Sequence, residues 1–191
     1  MTLRTDLNQY LVDAMLGKLG RWLRILGFDV EIVDNQCDDT YVIQVALRKS
    51  RHLTTRDYEL YQRFKIKTSL NAVDGLVSCY LHSNNFMEQL VGFFLCFNID
   101  PHNYLWTDPL NLPFSPRCSV CNAILNKVSK DSILDVIHQG TKQNFDHFWQ
   151  CSNENCSKIY WRGSHWQDIM KTLEKIINLM NFQNPNTLFQ C

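Results

Sequence analysis

The sequence predicts an α/β fold: a mainly parallel β-sheet flanked by helices, followed by a small cysteine-bearing domain and a C-terminal helix. Three observations carry this. Short β-rich runs alternate with helix-period runs up to about Ile99, the pattern of a layered parallel sheet. Prolines then crowd together and end the alternation. Beyond them stand two cysteine pairs, Cys118 with Cys121 and Cys151 with Cys156.

The first strand is Gln9-Tyr10-Leu11-Val12, ending at Asp13. A helix over about 15–26 places Leu16, Leu19, Leu23 and Leu26 on one stripe at 100° per residue, with Lys18, Arg21 and Arg24 on the other side. Gly27 stops it, because a residue without Cβ tolerates the left-handed conformation after a last turn. Phe28 to Val33 is the second strand. A helix over about 40–49 follows Asp38-Asp39, either of which can cap it. His52-Leu53-Thr54-Thr55 and Gly75 to Leu81 are further strands, and a helix over about 86–97 opens with Asn85 and Glu88 at capping-box spacing. Asp100-Pro101, Asp108-Pro109, Pro113 and Pro116 cannot continue a helix or an inner strand and mark the boundary. The expected domains are therefore 1–112 and 113–166, with a helix and frayed polar tail over 167–191. The last helix carries Ile169, Leu173, Ile176 and Met180 on one face, with Ser164 and Gln167 as its capping box.

The chain has 191 residues, 45% of them hydrophobic and 20% charged, enough to bury a real core. Lys+Arg and Asp+Glu are both 19, so any surface for a polyanion must be local. The N-terminus lacks the pattern of a signal peptide. The longest apolar run, Val91 to Phe97, falls far short of the roughly 20 residues a bilayer crossing needs, so no membrane partner is expected. Eight cysteines without a secretory signal point to a reducing, intracellular setting, cytoplasmic or nuclear, where thiols bind metal or pack instead of pairing.

Zinc prefers four soft ligands in a tetrahedron, and two turns each offering two thiolates meet that demand. Cys118, Cys121, Cys151 and Cys156 are the expected ligands of a structural Zn²⁺, with disulfides or chance pairs as the alternatives. His138, His147 and His165 are spare donors. Zinc binding would contribute on the order of 10 kcal/mol to folding such a lobe.

Asp13 lies just past the first strand, Asp57 just past the third, and Asp39 at the start of the second helix. The carboxyl ends of parallel strands share one edge, so these side chains can converge there and hold Mg²⁺ or Mn²⁺ for attack of water on a phosphodiester. Each also has a plainer reading as a helix cap or turn former. Asp38, Asp29 and Glu59 are weaker candidates. Lys18, Arg21, Arg24 and Arg56 supply positive charge for a phosphate backbone, or simply a solvated helix face. Trp149, Tyr160, Trp161 and Trp166 can stack on bases or form the core of the lobe.

Val12-Asp13-Ala14-Met15-Leu16-Gly17-Lys18-Leu19, followed by Arg21-Trp22-Leu23-Arg24-Ile25-Leu26-Gly27, resembles the opening of the Mut-seven C-terminal RNase domain family. Thr55-Arg56-Asp57, Glu88-Gln89-Leu90, Arg117 to Asn122, Phe148 to Cys151 and Tyr160 to Trp166 resemble its remaining signatures in order. The resemblance implies a PIN-like nuclease fold with a fused zinc ribbon, Mg²⁺- or Mn²⁺-dependent ribonuclease activity on RNA, single-stranded by expectation, and Asp13, Asp39 and Asp57 as the acidic positions. It also implies an alternative. In Nibbler-type 3′–5′ exonucleases involved in small-RNA silencing the module follows a separate nuclease domain, so it can serve to bind RNA or dock a protein partner without catalysis.

Overall fold

The computed structural model describes residues 9–70, 75–105, 115–182 and 189–191. In chain order come β1 (Gln9–Val12), a 3-10 turn at Ala14–Leu16, α1 (Gly17–Ile25), β2 (Asp29–Ile32), α2 (Asp39–Arg48) and β3 (His52–Thr55). Then follow α3 (Tyr58–Leu70), β4 (Ser78–Leu81) and α4 (Phe86–Cys96). The second half holds β5 (Leu125–Val128), α5 (Gln139–Asn144), β6 (Phe148–Cys151), β7 (Ile159–Trp161), α6 (Ser164–Phe182) and β8 (Phe189–Gln190).

Strands β2-β1-β3-β4 are parallel, in that spatial order, and β8 adds antiparallel to β4. Alternation along β1 sends Tyr10 and Val12 to one face and Leu11 to the other. On the first face α1, α4 and α6 bury Leu19, Leu23, Phe93, Phe94, Ile169 and Leu173. On the second, α2 and α3 bury Ile43, Val45, Leu60 and Phe64 with Leu11 and Leu53. The sheet is thus covered on both sides, as parallel sheets require. A separate antiparallel sheet, β5-β6-β7, has its own small core of Ile133, Ile137 and Phe148.

Helix α1 ends as its sequence dictates: Gly27 takes φ 93°, and the Phe28 N–H reaches back to Leu23 O at 3.0 Å. Asp38 caps α2 through the Tyr41 N–H at 2.7 Å, and Asn85 caps α4 through the N–H groups of Met87 and Glu88. Three expectations change. Helix α6 begins at Ser164, which is therefore inside the helix and not its cap, and its apolar stripe finds its partner within the chain, against α4. Residues 189–190 of the expected tail form β8, because the edge of β4 offers unpaired backbone groups. Cys96 and Cys191 are joined by a disulfide, an exception to the expectation that the thiols stay unpaired. Pro109, Pro113 and residues 183–188 of the tail lie outside the described residues.

Gly20 lets α1 sit close on β2: a Cβ there would lie 2.7 and 2.8 Å from the Ile32 side chain. Gly20→Ala should overpack this contact at a cost of about 1–3 kcal/mol, exceeding the roughly 1 kcal/mol that Ala gains over Gly in a helix. Urea denaturation should show the loss, and an added Ile32→Ala should make the Gly20 substitution tolerable.

Candidate active site and metal centre

The strand order reverses between β1 and β3: the chain runs outward from β1 to β2, then returns to add β3 and β4 on the other side. In an open parallel sheet such a reversal leaves a crevice beyond the carboxyl ends of the two strands. Asp13 and Asp57 lie there. The Asp13 N–H donates to Thr54 O at 3.0 Å, extending the pairing of β1 with β3. The Thr55 hydroxyl donates to Asp13 Oδ2 at 2.8 Å and accepts from the Asp57 N–H at 2.9 Å, so one buried threonine ties the two acidic positions together. Asp57 Oδ1 also accepts from the N–H groups of Glu59 and Leu60, capping α3. Asp57 is thus the helix cap of its plainer reading, and it is also tied to Asp13 through Thr55.

Asp39 is placed differently. Its Oδ2 accepts from Arg63 Nη1 at 2.8 Å, and Arg63 Nη2 donates to Thr40 Oγ1 at 3.0 Å, which ties the start of α2 to α3. Among the described residues, the group of three or more acidic, thiol or imidazole ligand atoms lying within 4.8 Å of one another is the cysteine quartet. The three carboxylates do not draw together to that degree. Asp38 is a cap, and Asp29 serves the lobe as set out below.

Of the expected cations, Lys18 and Arg21 are exposed near the start of α1, with Lys18 Nζ 4.2 Å from the centre of the Phe86 ring. Arg56 sits between Thr55 and Asp57, its buried Nε without a hydrogen-bond partner. Arg24 departs from the expected solvated face. It is buried, and its Nε donates to Val30 O at 2.8 Å while Nη1 donates to Ser119 O and Val120 O at 3.1 and 2.8 Å. Helical spacing alone hides this, because the carbonyls that recruit Arg24 come from a turn 95 residues away in sequence.

Those carbonyls belong to the first cysteine turn. Cys118 and Cys156 approach with sulfurs 3.6 Å apart, Cys121 and Cys151 with sulfurs 3.3 Å apart, and all four lie within 4.8 Å. A tetrahedron with Zn–S bonds of 2.3 Å has edges of about 3.8 Å, so the four thiols could hold a metal ion such as zinc. Left-handed Asn122 and Ser157, at φ 70° and 44°, bend the chain away directly after Cys121 and Cys156. The exposed His138 and His147 take no part. The Tyr160 hydroxyl, 3.1 Å from Cys118 Sγ and accepting from the Ser119 N–H, is a supporting group that spacing did not reveal. Burial pushes the Cys118 thiol up, but Tyr160 and the N–H groups of Cys121 and Val120 outweigh it and bring the thiol down to about 6. Burial pushes Cys151 up to about 12.

The turn docks at the amino end of β2. Asn122 Oδ1 accepts from the Val30 N–H at 3.1 Å, and Asn122 Nδ2 donates to Asp29 Oδ1 at 2.7 Å. Arg51 Nη1 donates to the same carboxylate at 2.9 Å, and Arg117 Nη2 lies 3.6 Å from its other oxygen. The thiol centre and the carboxylate crevice thus sit at opposite edges of the sheet, separated by at least a four-residue strand, roughly 10 Å.

A family model described as the Mut7-C RNAse domain matches residues 8–173. Comparison with curated proteins and with solved structures gave no match. No helix among the described residues is long and apolar enough to cross a membrane.

Burial pushes the Asp29 carboxyl up, but the hydrogen bonds from Arg51 and Asn122 prevail and hold it below its ordinary value of 3.8. Its contribution to stability is therefore fully present above that ordinary value and is lost as pH falls through the lowered one. Urea titrations at neutral and acid pH should show this loss, and Asp29→Asn should be less stable at neutral pH with a flatter acid limb.

Proposed function

The chain belongs to the Mut7-C RNAse domain family, and from that premise we propose that it is an RNA-directed, metal-dependent ribonuclease domain whose site is the crevice between β1 and β3. The observation that carries the reading is the coupling of Asp13 to Asp57 through Thr55 at the reversal of strand order. Asp13, Asp57 and, at the start of α2, Asp39 are the residues that would hold Mg²⁺ or Mn²⁺. Bound there, the cation supplies charge neutralisation and a water of lowered pKa.

The chain's own residues do the rest. Thr55 fixes the Asp13 carboxylate in one orientation, and the second oxygen of Asp57 remains outside the cap on α3. We assign the phosphates of an RNA strand to Lys18 and Arg21, exposed on α1, and to Arg56, which lies between Thr55 and Asp57 in sequence. Arg24 leaves this set, because its guanidinium is spent on backbone carbonyls. We assign Zn²⁺ to Cys118, Cys121, Cys151 and Cys156 in a structural role, since four thiolates leave no open position for a substrate.

A specific observation favours a second reading. Asp39 is ion-paired with Arg63, and one oxygen of Asp57 is committed to a helix cap. Carboxylates so engaged suit a module that binds RNA, or docks on a protein partner, while another domain of a 3′–5′ exoribonuclease performs the chemistry.

With Mn²⁺, the protein should cleave single-stranded RNA, and Asp13→Asn should lower the rate by at least a hundredfold while leaving zinc content unchanged. Wild type and Asp13→Asn equally inert over a range of RNAs, with RNA still retained on a filter, would end the catalytic reading and leave the binding one. Elemental analysis should find a single zinc ion per chain. Cys151→Ser should lose it and leave β5–β7 open to proteases.

A further inference from the structure

Side chains two positions apart along a strand project to the same face of a sheet. Leu11 and Leu53 face α2 and α3. Two positions on, Asp13 and Thr55 take that same face, where the Thr55 hydroxyl donates to Asp13 Oδ2 at 2.8 Å. The pairing of β3 with β4 sets Tyr80 opposite Thr55, so Asp13, Thr55 and Tyr80 form one row across three strands spaced roughly 5 Å apart. The row leads from the carboxylate crevice into an aromatic side chain.

Tyr80 belongs to a group of rings at this edge. Its ring centre lies 5.3 Å from that of Tyr58, 5.8 Å from Tyr61 and 4.7 Å from His82. Tyr58 directly follows Asp57 and opens α3, with its ring centre 6.0 Å from that of the buried Tyr61. Gln62 Nε2 donates to the Tyr58 hydroxyl at 2.8 Å and helps to hold the ring. Tyr58 is nevertheless 50% exposed, and His82 is exposed as well. Neither Tyr58 nor Tyr80 is counted in the two cores that cover the sheet. Burial accounts for Tyr61, but it does not account for a ring braced from within and half open to solvent next to a carboxylate. A ring so placed is what stacks an unpaired base.

We propose that Tyr58, braced by Tyr80 and continued outward by His82, is a base-stacking subsite for the nucleotide whose phosphate lies at the Asp13 and Asp57 crevice. The proposal rests on the RNA-directed reading above and adds the residues that hold the base. Stacking tolerates any sequence, because every base has a π-face. It selects single strands, since the bases of a duplex are already stacked on one another. A nucleotide answers to both neighbours, its phosphate to the crevice and its base to the ring. An apolar peptide answers to the ring alone.

The test measures anisotropy of a fluorescein-labelled oligouridylate, and of an abasic ribose-phosphate strand of the same length, with the full zinc-loaded chain. Both are titrated in Ca²⁺, an oxygen-seeking cation, and strand length is checked on a denaturing gel so that binding is read apart from cleavage. Wild type should prefer oligouridylate to the abasic strand. Tyr58→Ala should weaken oligouridylate binding by about tenfold and leave the abasic strand unaffected, while Tyr58→Phe should bind both as wild type does. Zinc content and far-ultraviolet circular dichroism confirm that each variant is folded. If Tyr58→Ala binds oligouridylate as wild type does, or weakens both strands equally, the ring does not hold a base and the proposal fails while the RNA reading stands. Equal affinity of wild type for the two strands would overturn it in the same way and leave the rings as a surface for a protein. If wild type binds neither strand, the proposal and the RNA reading fail together.

Discussion

The guanidinium of Arg24 is the joint on which the arrangement of the two sheets depends. It is buried at the end of α1 and satisfies one carbonyl at the second strand and two in the first cysteine turn. A desolvated cation of this kind is costly unless every donor is met. Burial lowers Arg24 from its ordinary value, while Cys118, Cys121 and Asp29 counter that and favour the charged form. The cysteine turn supplies oxygen acceptors and nearby thiol charge, and α1 supplies the rigid platform. Around this contact Asn122, Arg117, Arg51 and Asp29 close a ring of hydrogen bonds and ion pairs that fixes the lobe to the amino end of the sheet.

Topology then separates the chemistry. Parallel strands deliver their following residues to one edge, which is why Asp13 meets Thr55 although 42 positions separate them. The lobe takes the other edge. The lobe meets α1 at its last turn through Arg24, while Lys18 and Arg21 are exposed nearer its first turn. The helix is the physical link between the two ends, since both Lys18 and Arg24 lie on it.

How much of this could be read in the sequence depends on how local each determinant is. β1 and β3 were legible because Tyr10-Leu11-Val12 and Leu53-Thr54-Thr55, aromatic, apolar or β-branched, end sharply at a polar turn, and Gly27 marked the end of α1 because only glycine takes φ 93° without strain. The cysteine quartet was legible from spacing within each turn, but its support from Tyr160 was not, because that contact crosses 42 positions. Helix α3 has no counterpart among the helices expected from the sequence, since polar and apolar side chains mix around it. Arg24 departs from its expected place for a related reason: Lys18 and Arg21, the cations grouped with it, are solvated, and the docked carbonyls draw it inward. Nor did anything local to Asp39 announce Arg63, which approaches from the adjacent helix.

The two-residue strand β8 bears on how the molecule forms. Leu81 pairs with Phe189, joining segments far apart in sequence, so this closure carries a large loop entropy and belongs late in folding. Until it forms, the outer edge of β4 exposes unpaired backbone groups to any neighbouring chain. During synthesis the parallel core can assemble first, leaving an interval in which self-association competes with completion of the sheet.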